Sequence, residues 1–239
     1  MDLSRWRLRK SFLSGRLEDQ SFYLAFVCQL VFILVSVIDW TRGIPTKSLF
    51  AVSGADVFQR HEFYRLFTAV FAHGSWDHVL GNSIFFVPFA ALLSNYFGLA
   101  VFPFFTFLVG GLINFFVILL YPPEVSVLGV SGVVYFMVAF WLVLYVGIER
   151  GLSLRQKIIR SLGLALVEFM PEKFDANISY LSHAIGFALG IFLGLLFFFY
   201  YKKDFQSAEV WELIEPDEPK FDDPEDLLLD RLDEKSVLN

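Results

Sequence analysis

Ser131 is the residue of this chain best suited to nucleophilic chemistry. It stands in Gly129-Val130-Ser131-Gly132, with a glycine directly after it and another two positions before it. Glycines leave little bulk in the way of a substrate and let the backbone turn sharply. A serine hydroxyl is a weak nucleophile until a base takes its proton, and histidine is the usual base near neutral pH. His183 is the candidate base. It lies inside an apolar run, residues 176–201, where an imidazole is costly and an ionisable group marks function. The bland alternatives are a hydrogen-bonded packing histidine and a Gly/Ser string that serves helix contact. Tyr135 follows Ser131 by one helical turn, on the same face. It is placed to pack against the His183 ring and orient it, or simply to fill the core. The runs around Ser131 and His183 contain no Asp or Glu beside them, so the residues read as a Ser–His pair without a third carboxylate. His78 and Asn82 share a helix face at i,i+4. Both donate hydrogen bonds, as an oxyanion site requires, although a helix start at the membrane interface would also use them as caps.

These residues need elements to bring them together. Of the 239 residues 56% are apolar, with 30 Phe, and the mean hydropathy is +0.58, a composition that points to lipid. The first 20 residues are polar and basic. A helix is predicted over about 21–39, too long and without the small-residue cleavage site of a signal peptide. Residues 40–77 are too polar to span and too aromatic for a plain linker, and are expected at the interface, partly embedded. From Val79 to Pro123 there is no charge, enough for two crossings with a turn at Asn95 and Gly98 and an end at Pro122–Pro123. The next run, Val125–Ile148, is expected to become helical near Ser131. Residues 156–171 are a weak span interrupted by Lys157, Arg160 and Glu168. The last run ends in Lys202–Lys203. On it Gly186, Gly190 and Gly194 form one smooth face bordered by His183, and the helix of Ser131 packing there would bring serine and histidine together at matching depth.

Basic residues cluster before the first span, at Arg150/Arg155/Lys157/Arg160 and at Lys202–Lys203. All fall on the cytoplasmic side if the chain crosses six times with both ends inside. The expected fold is therefore an all-α membrane protein, a six-transmembrane-helix bundle with an embedded first loop. The expected organisation is a cytoplasmic segment 1–20, a membrane domain 21–203 and an acidic, disordered cytoplasmic tail 204–239. That tail carries 13 acidic and 3 basic residues, a net of −10, against +4 for the rest. Its acidity argues against nucleic acid as a partner.

Other chemistries fit poorly. The single cysteine, Cys28, builds neither a disulfide nor a metal site alone. His61-Glu62 lacks the second histidine of a zinc-protease helix, the four histidines share no helix face, and no pair of Asp lies in the spans. No metal or other cofactor is expected. A channel would keep polar groups along a path to both sides, whereas these sit at one end. Glu62-Phe63-Tyr64-Arg65 with Thr68, and His73, read as loop structure.

Taken together and in this order, these residues resemble the rhomboid family of intramembrane serine proteases over about residues 62–194. The carriers are Tyr64-Arg65 and Thr68, His78 with Asn82, the Gly-x-Ser-Gly motif with Tyr135, and His183 with Gly186 and Gly190. The resemblance implies Ser131 as nucleophile and His183 as base. It implies His78 and Asn82 stabilising an oxyanion with the Ser131 amide, the six-helix fold, and single-span membrane proteins as substrates among membrane lipids. Tyr64 stands where the family usually has Trp, Ser182 where Ala is frequent, and the fifth span is short and charged. A bacterial inner membrane is the expected location. The alternative is an inactive rhomboid-like protein that binds membrane clients.

Overall fold

The computed structural model describes residues 6–42, 48–160 and 179–213. Helix α1 (Asp19–Arg42) begins with an acid in its first turn, where the helix dipole favours negative charge. It buries Ser21, Ala25, Gln29, Phe32, Ser36 and Asp39 along one stripe. Tyr23, Phe26, Leu30 and Leu34 stay exposed on the other side. Apart from Phe32, small and polar groups face inward and large apolar groups outward, the pattern of a helix facing lipid, where apolar surface needs no shelter.

A short loop strand, β2 (Val52–Ser53), and a four-residue turn, α2 (Arg65–Thr68), lead to α3 (Trp76–Leu99). Its N-cap is Ser75, whose Oγ accepts the His78 N–H at 3.2 Å. The expected break comes at Gly98, at φ +76, a conformation that glycine adopts without penalty. Asn95, expected in the turn, is still helical and instead accepts the Glu18 N–H at 2.9 Å through Oδ1. After a π-helical stretch, Ala100–Phe105, helix α4 (Thr106–Leu120) runs back. Strand β3 (Ser126–Val127) then pairs antiparallel with β2. Helix α5 starts at the anticipated serine (Ser131–Ile148) and is the most buried of the long helices. Helix α6 (Tyr180–Ser207) lies beside it along its length.

Four stretches among the described residues are long and apolar enough to cross a membrane: α1, the joined α3–α4 unit, α5 and α6. The joined unit spans 45 residues and contains the break at Gly98. Of the weak span expected at 156–171, the structure describes only 156–160, which are helical. The rest lies outside the described residues, as do 1–5 and 214–239. The first part of the expected tail is ordered, since α6 continues to Ser207 and β4 (Val210–Leu213) pairs antiparallel with β1 (Trp6–Lys10).

The elements have two ends. The ribbon β1–β4 caps the one where α5 and α6 finish. There Phe12 meets Phe205 edge-on at 5.0 Å, Ser11 donates to Glu149 at 3.2 Å, and Arg150 pairs with Glu209 at 3.1 Å. The starts of α3, α5 and α6 gather at the other end, beside the β2–β3 pair.

Candidate active site

The contact between α5 and α6 decides the geometry. A Cβ on Gly186 would collide with the Gly132 carbonyl oxygen, and one on Gly190 would lie 2.5 Å from the Phe136 carbonyl and 2.7 Å from Ala139. The helices therefore touch backbone to backbone, and only glycine fits. The register sets Gly132, directly after Ser131, against Ser182, directly before His183. Ser131 is the first residue of α5. His183 is in the first turn of α6, whose N-cap Ser179 accepts the Ser182 N–H at 3.3 Å. Tyr121, just past α4, meets the same Ser179 hydroxyl at 3.2 Å.

The His183 ring lies flat on Tyr135, with centroids 4.2 Å apart and planes 11° from parallel. Ring motion is thereby restricted to the plane of the stack. Among the described residues no hydrogen bond joins Ser131 Oγ to the imidazole. Such bonds are often long without substrate and tighten in the complex.

Gly129 has φ +114, a conformation that strains any other residue. A Cβ there would also lie 2.8 Å from the His78 ring. This close approach puts His78 beside the turn that leads into the serine. Asn82 is on the same face of α3, and its Nδ2 is buried without a hydrogen-bond partner. An orphaned buried donor costs ~1–3 kcal/mol and leaves Nδ2 open to a hydrogen-bond acceptor. The Ser131 N–H heads its helix and has no backbone acceptor among the described residues. His78 thus lies beside the serine turn, and Asn82 shares its helix face.

The loop that leads into α3 is held by charge. Arg65 is buried, bonded to Glu62, and donates to the carbonyls of Leu49 at 2.6 Å and Ala51 at 3.1 Å. Asp56 pairs with Arg60 and accepts from the Ser53 hydroxyl at 2.6 Å. Burial alone would raise the Asp56 pKa, but the bonds from Ser53 and Arg60 and the charges of Arg60 and Arg65 outweigh it and hold the carboxyl below its ordinary value.

One residue read as loop structure reaches the site. His73 is fully buried, its ring 5.1 Å from that of His78, and its Nε2 accepts the Val130 N–H at 3.4 Å. Burial, reinforced by His78 nearby and opposed weakly by the Phe71 carbonyl, pushes its pKa down to about 3, so the ring is neutral. The sequence held one signal for it: a histidine among apolar loop residues must find partners or be expelled to water.

A search of curated proteins finds no match to this chain. Residues 60–200, which contain Arg65, both helix-α3 donors, the serine turn and His183, match the family model of the Rhomboid domain, and the chain belongs to the rhomboid family.

Proposed function

We propose that this chain is an active intramembrane serine endopeptidase that cleaves single-span membrane proteins near the outer leaflet. The observation that carries the reading is the α5–α6 contact, which sets the head of one helix on the head of the other while Tyr135 stacks on His183. In the first step His183 takes the proton of Ser131 Oγ as the oxygen attacks the scissile carbonyl carbon. The negative charge moves to the carbonyl oxygen, which receives hydrogen bonds from the Ser131 N–H, His78 and Asn82. The carbon–nitrogen bond then breaks and His183 gives its proton to the leaving amine. Water, deprotonated by His183, hydrolyses the acyl-enzyme and restores the serine. No step calls for a metal. A single oxyanion donor contributes ~10²–10³-fold in kcat.

The basic flanks support a cytoplasmic β1–β4 end and a site at the outer side. The end of α5, by Glu149, lies at the ribbon end and Ser179 at the site end. These opposite positions support the six-span reading. The aromatic residues Phe58, Phe63, Tyr64 and Phe67 are exposed along the first loop, which suits a loop embedded in the interface.

The direct test is a fluorophosphonate probe on detergent-purified protein, with Ser131→Ala and His183→Ala alongside. Labelling of the wild type that both variants lose is the expected result. A folded wild type that neither labels nor cleaves a single-span substrate would overturn the reading in favour of client binding without catalysis.

A further inference from the structure

The turn before the nucleophile is steered by a side chain that lies outside the Ser–His pair and the oxyanion donors. Gly129 donates its N–H to the Ala69 carbonyl at 2.9 Å. The next N–H, on Val130, goes to His73 Nε2 at 3.4 Å. Val130 is fully buried, so without His73 its N–H would be orphaned and the peptide plane would rotate in search of an acceptor. The following N–H belongs to Ser131.

The ring is itself fixed. Nε2 accepts, so in the neutral ring Nδ1 carries the hydrogen, an assignment that follows from the bonding pattern. Nδ1 lies 3.3 Å from Ser36 Oγ and donates to it. The His73 backbone N–H donates to the same oxygen at 3.0 Å. Ser36 sends its own hydrogen to the Phe32 carbonyl one turn back, at 2.7 Å. The indole of Trp40 donates to the His73 carbonyl at 2.7 Å. Every polar group of His73 is thus committed, and α1 is the anchor. A chain of bonds runs from α1 through the loop to the turn that aims the Ser131 amide. Protonation would convert Nε2 to a donor facing another donor, and the buried ring stays neutral.

We propose that His73 is a positioning residue for the reaction: anchored by Ser36, it holds the Val130 N–H and so sets the direction of the Ser131 N–H that receives the oxyanion. The inference rests on the protease reading above. His73 touches no reacting atom, and its loss should cost less than that of an oxyanion donor.

The experiment compares full-length wild type, His73→Leu, His73→Gln and Ser36→Ala in detergent with a single-span substrate. It records kcat and KM, the rate of fluorophosphonate labelling, and the unfolding temperature. His73→Leu is expected to lose ~10- to 100-fold in kcat with KM within about twofold, below the ~10²–10³-fold cost of a lost oxyanion donor. Labelling should slow in parallel, because the phosphonyl oxygen occupies the same site. His73→Gln keeps an oxygen acceptor near the position of Nε2 and should recover most of the loss. Ser36→Ala should fall between the wild type and His73→Leu. Equal losses in His73→Gln and His73→Leu, a loss confined to KM, or rates that follow only the unfolding temperature would overturn the proposal. If His73→Leu fails to fold, an unchanged kcat in Ser36→Ala would do so. A wild type that neither labels nor cleaves sinks the protease reading instead, which keeps the two failures distinct.

Discussion

Tyr135 lies on the face of the His183 ring, so it would orient the imidazole by contact and not through the in-plane hydrogen bond that a triad carboxylate makes. A stack of this kind is worth about 0.5–1.5 kcal/mol, so its loss should cost up to about tenfold in rate. Tyr135→Phe should therefore retain a larger share of kcat than Tyr135→Leu in initial-rate measurements, and the reverse order would remove the ring-orienting role. Asn82 gives a sharper test. Its Nδ2 is buried and unpartnered in the free protein, a cost to folding. Asn82→Ala should lower kcat by ~10²-fold with little change in KM. Its unfolding temperature should nevertheless stay level or rise. A fall in stability that matches the fall in rate would make Asn82 a structural residue. The two helix residues, Ser131 and His183, were legible as candidates because an ionisable or glycine-flanked polar group stands out in an apolar run. His73 was not, because its partner Ser36 is on another element and no spacing rule connects them.

Between elements, what the glycines of α6 face sets their tolerance. A Cβ at Gly186 would strike the Gly132 backbone, which has nowhere to go, whereas one at Gly194 would lie 3.1 Å from the Val143 side chain. Gly186→Ala should abolish labelling or folding. Gly194→Ala should cost about 1–3 kcal/mol or less, the usual range for overpacking. Equal effects would mean that the helices are not in backbone contact. The glycine face, the break at Gly98 and the start of α5 at Ser131 were all readable, since each is a local pattern. The β2–β3 pair was not, because residues 52–53 and 126–127 meet through tertiary folding and are too short to show a period. The loop adds a dependence on pH. The Asp56 pKa is depressed in the folded state, so its stabilisation is present above the unfolded value of about 3.9 and is lost as pH falls through the folded value. Asp56→Asn should unfold at a lower temperature than the wild type at pH 7, and the gap should close as pH drops below about 4. A gap constant across that range would show that the charge of Asp56 contributes nothing.

Across the whole molecule, both flanks of the chain return to one end and tie it shut. The charge run suggested a tail from residue 204, but charge composition does not reveal pairing. Glu209 binds Arg150, Trp211 lies over the same guanidinium at 5.7 Å, and Phe205 is buried against Phe12. The consequence is a graded response to truncation. A chain ending after Leu213 keeps every one of these contacts and is the reference for the shorter one. A chain ending after Lys203 loses the β1–β4 ribbon, the Arg150–Glu209 pair and the Phe205 anchor. The ion pair is partly exposed and worth about 1 kcal/mol at most. The buried ring carries the larger share, since removing such a Phe costs about 3–5 kcal/mol. At about 2–4 °C per kcal/mol for a chain of this size, the unfolding temperature should fall by roughly 10 °C. Ser131 and His183 are at the opposite end, so the rate at a temperature where both truncations remain folded should change far less than the stability does. Thermal unfolding in detergent, read beside initial rates, separates these effects. Two truncations of equal stability would show that the ribbon and Phe205 do not brace the helices. A rate lost at full stability would show that the ribbon end acts on the site.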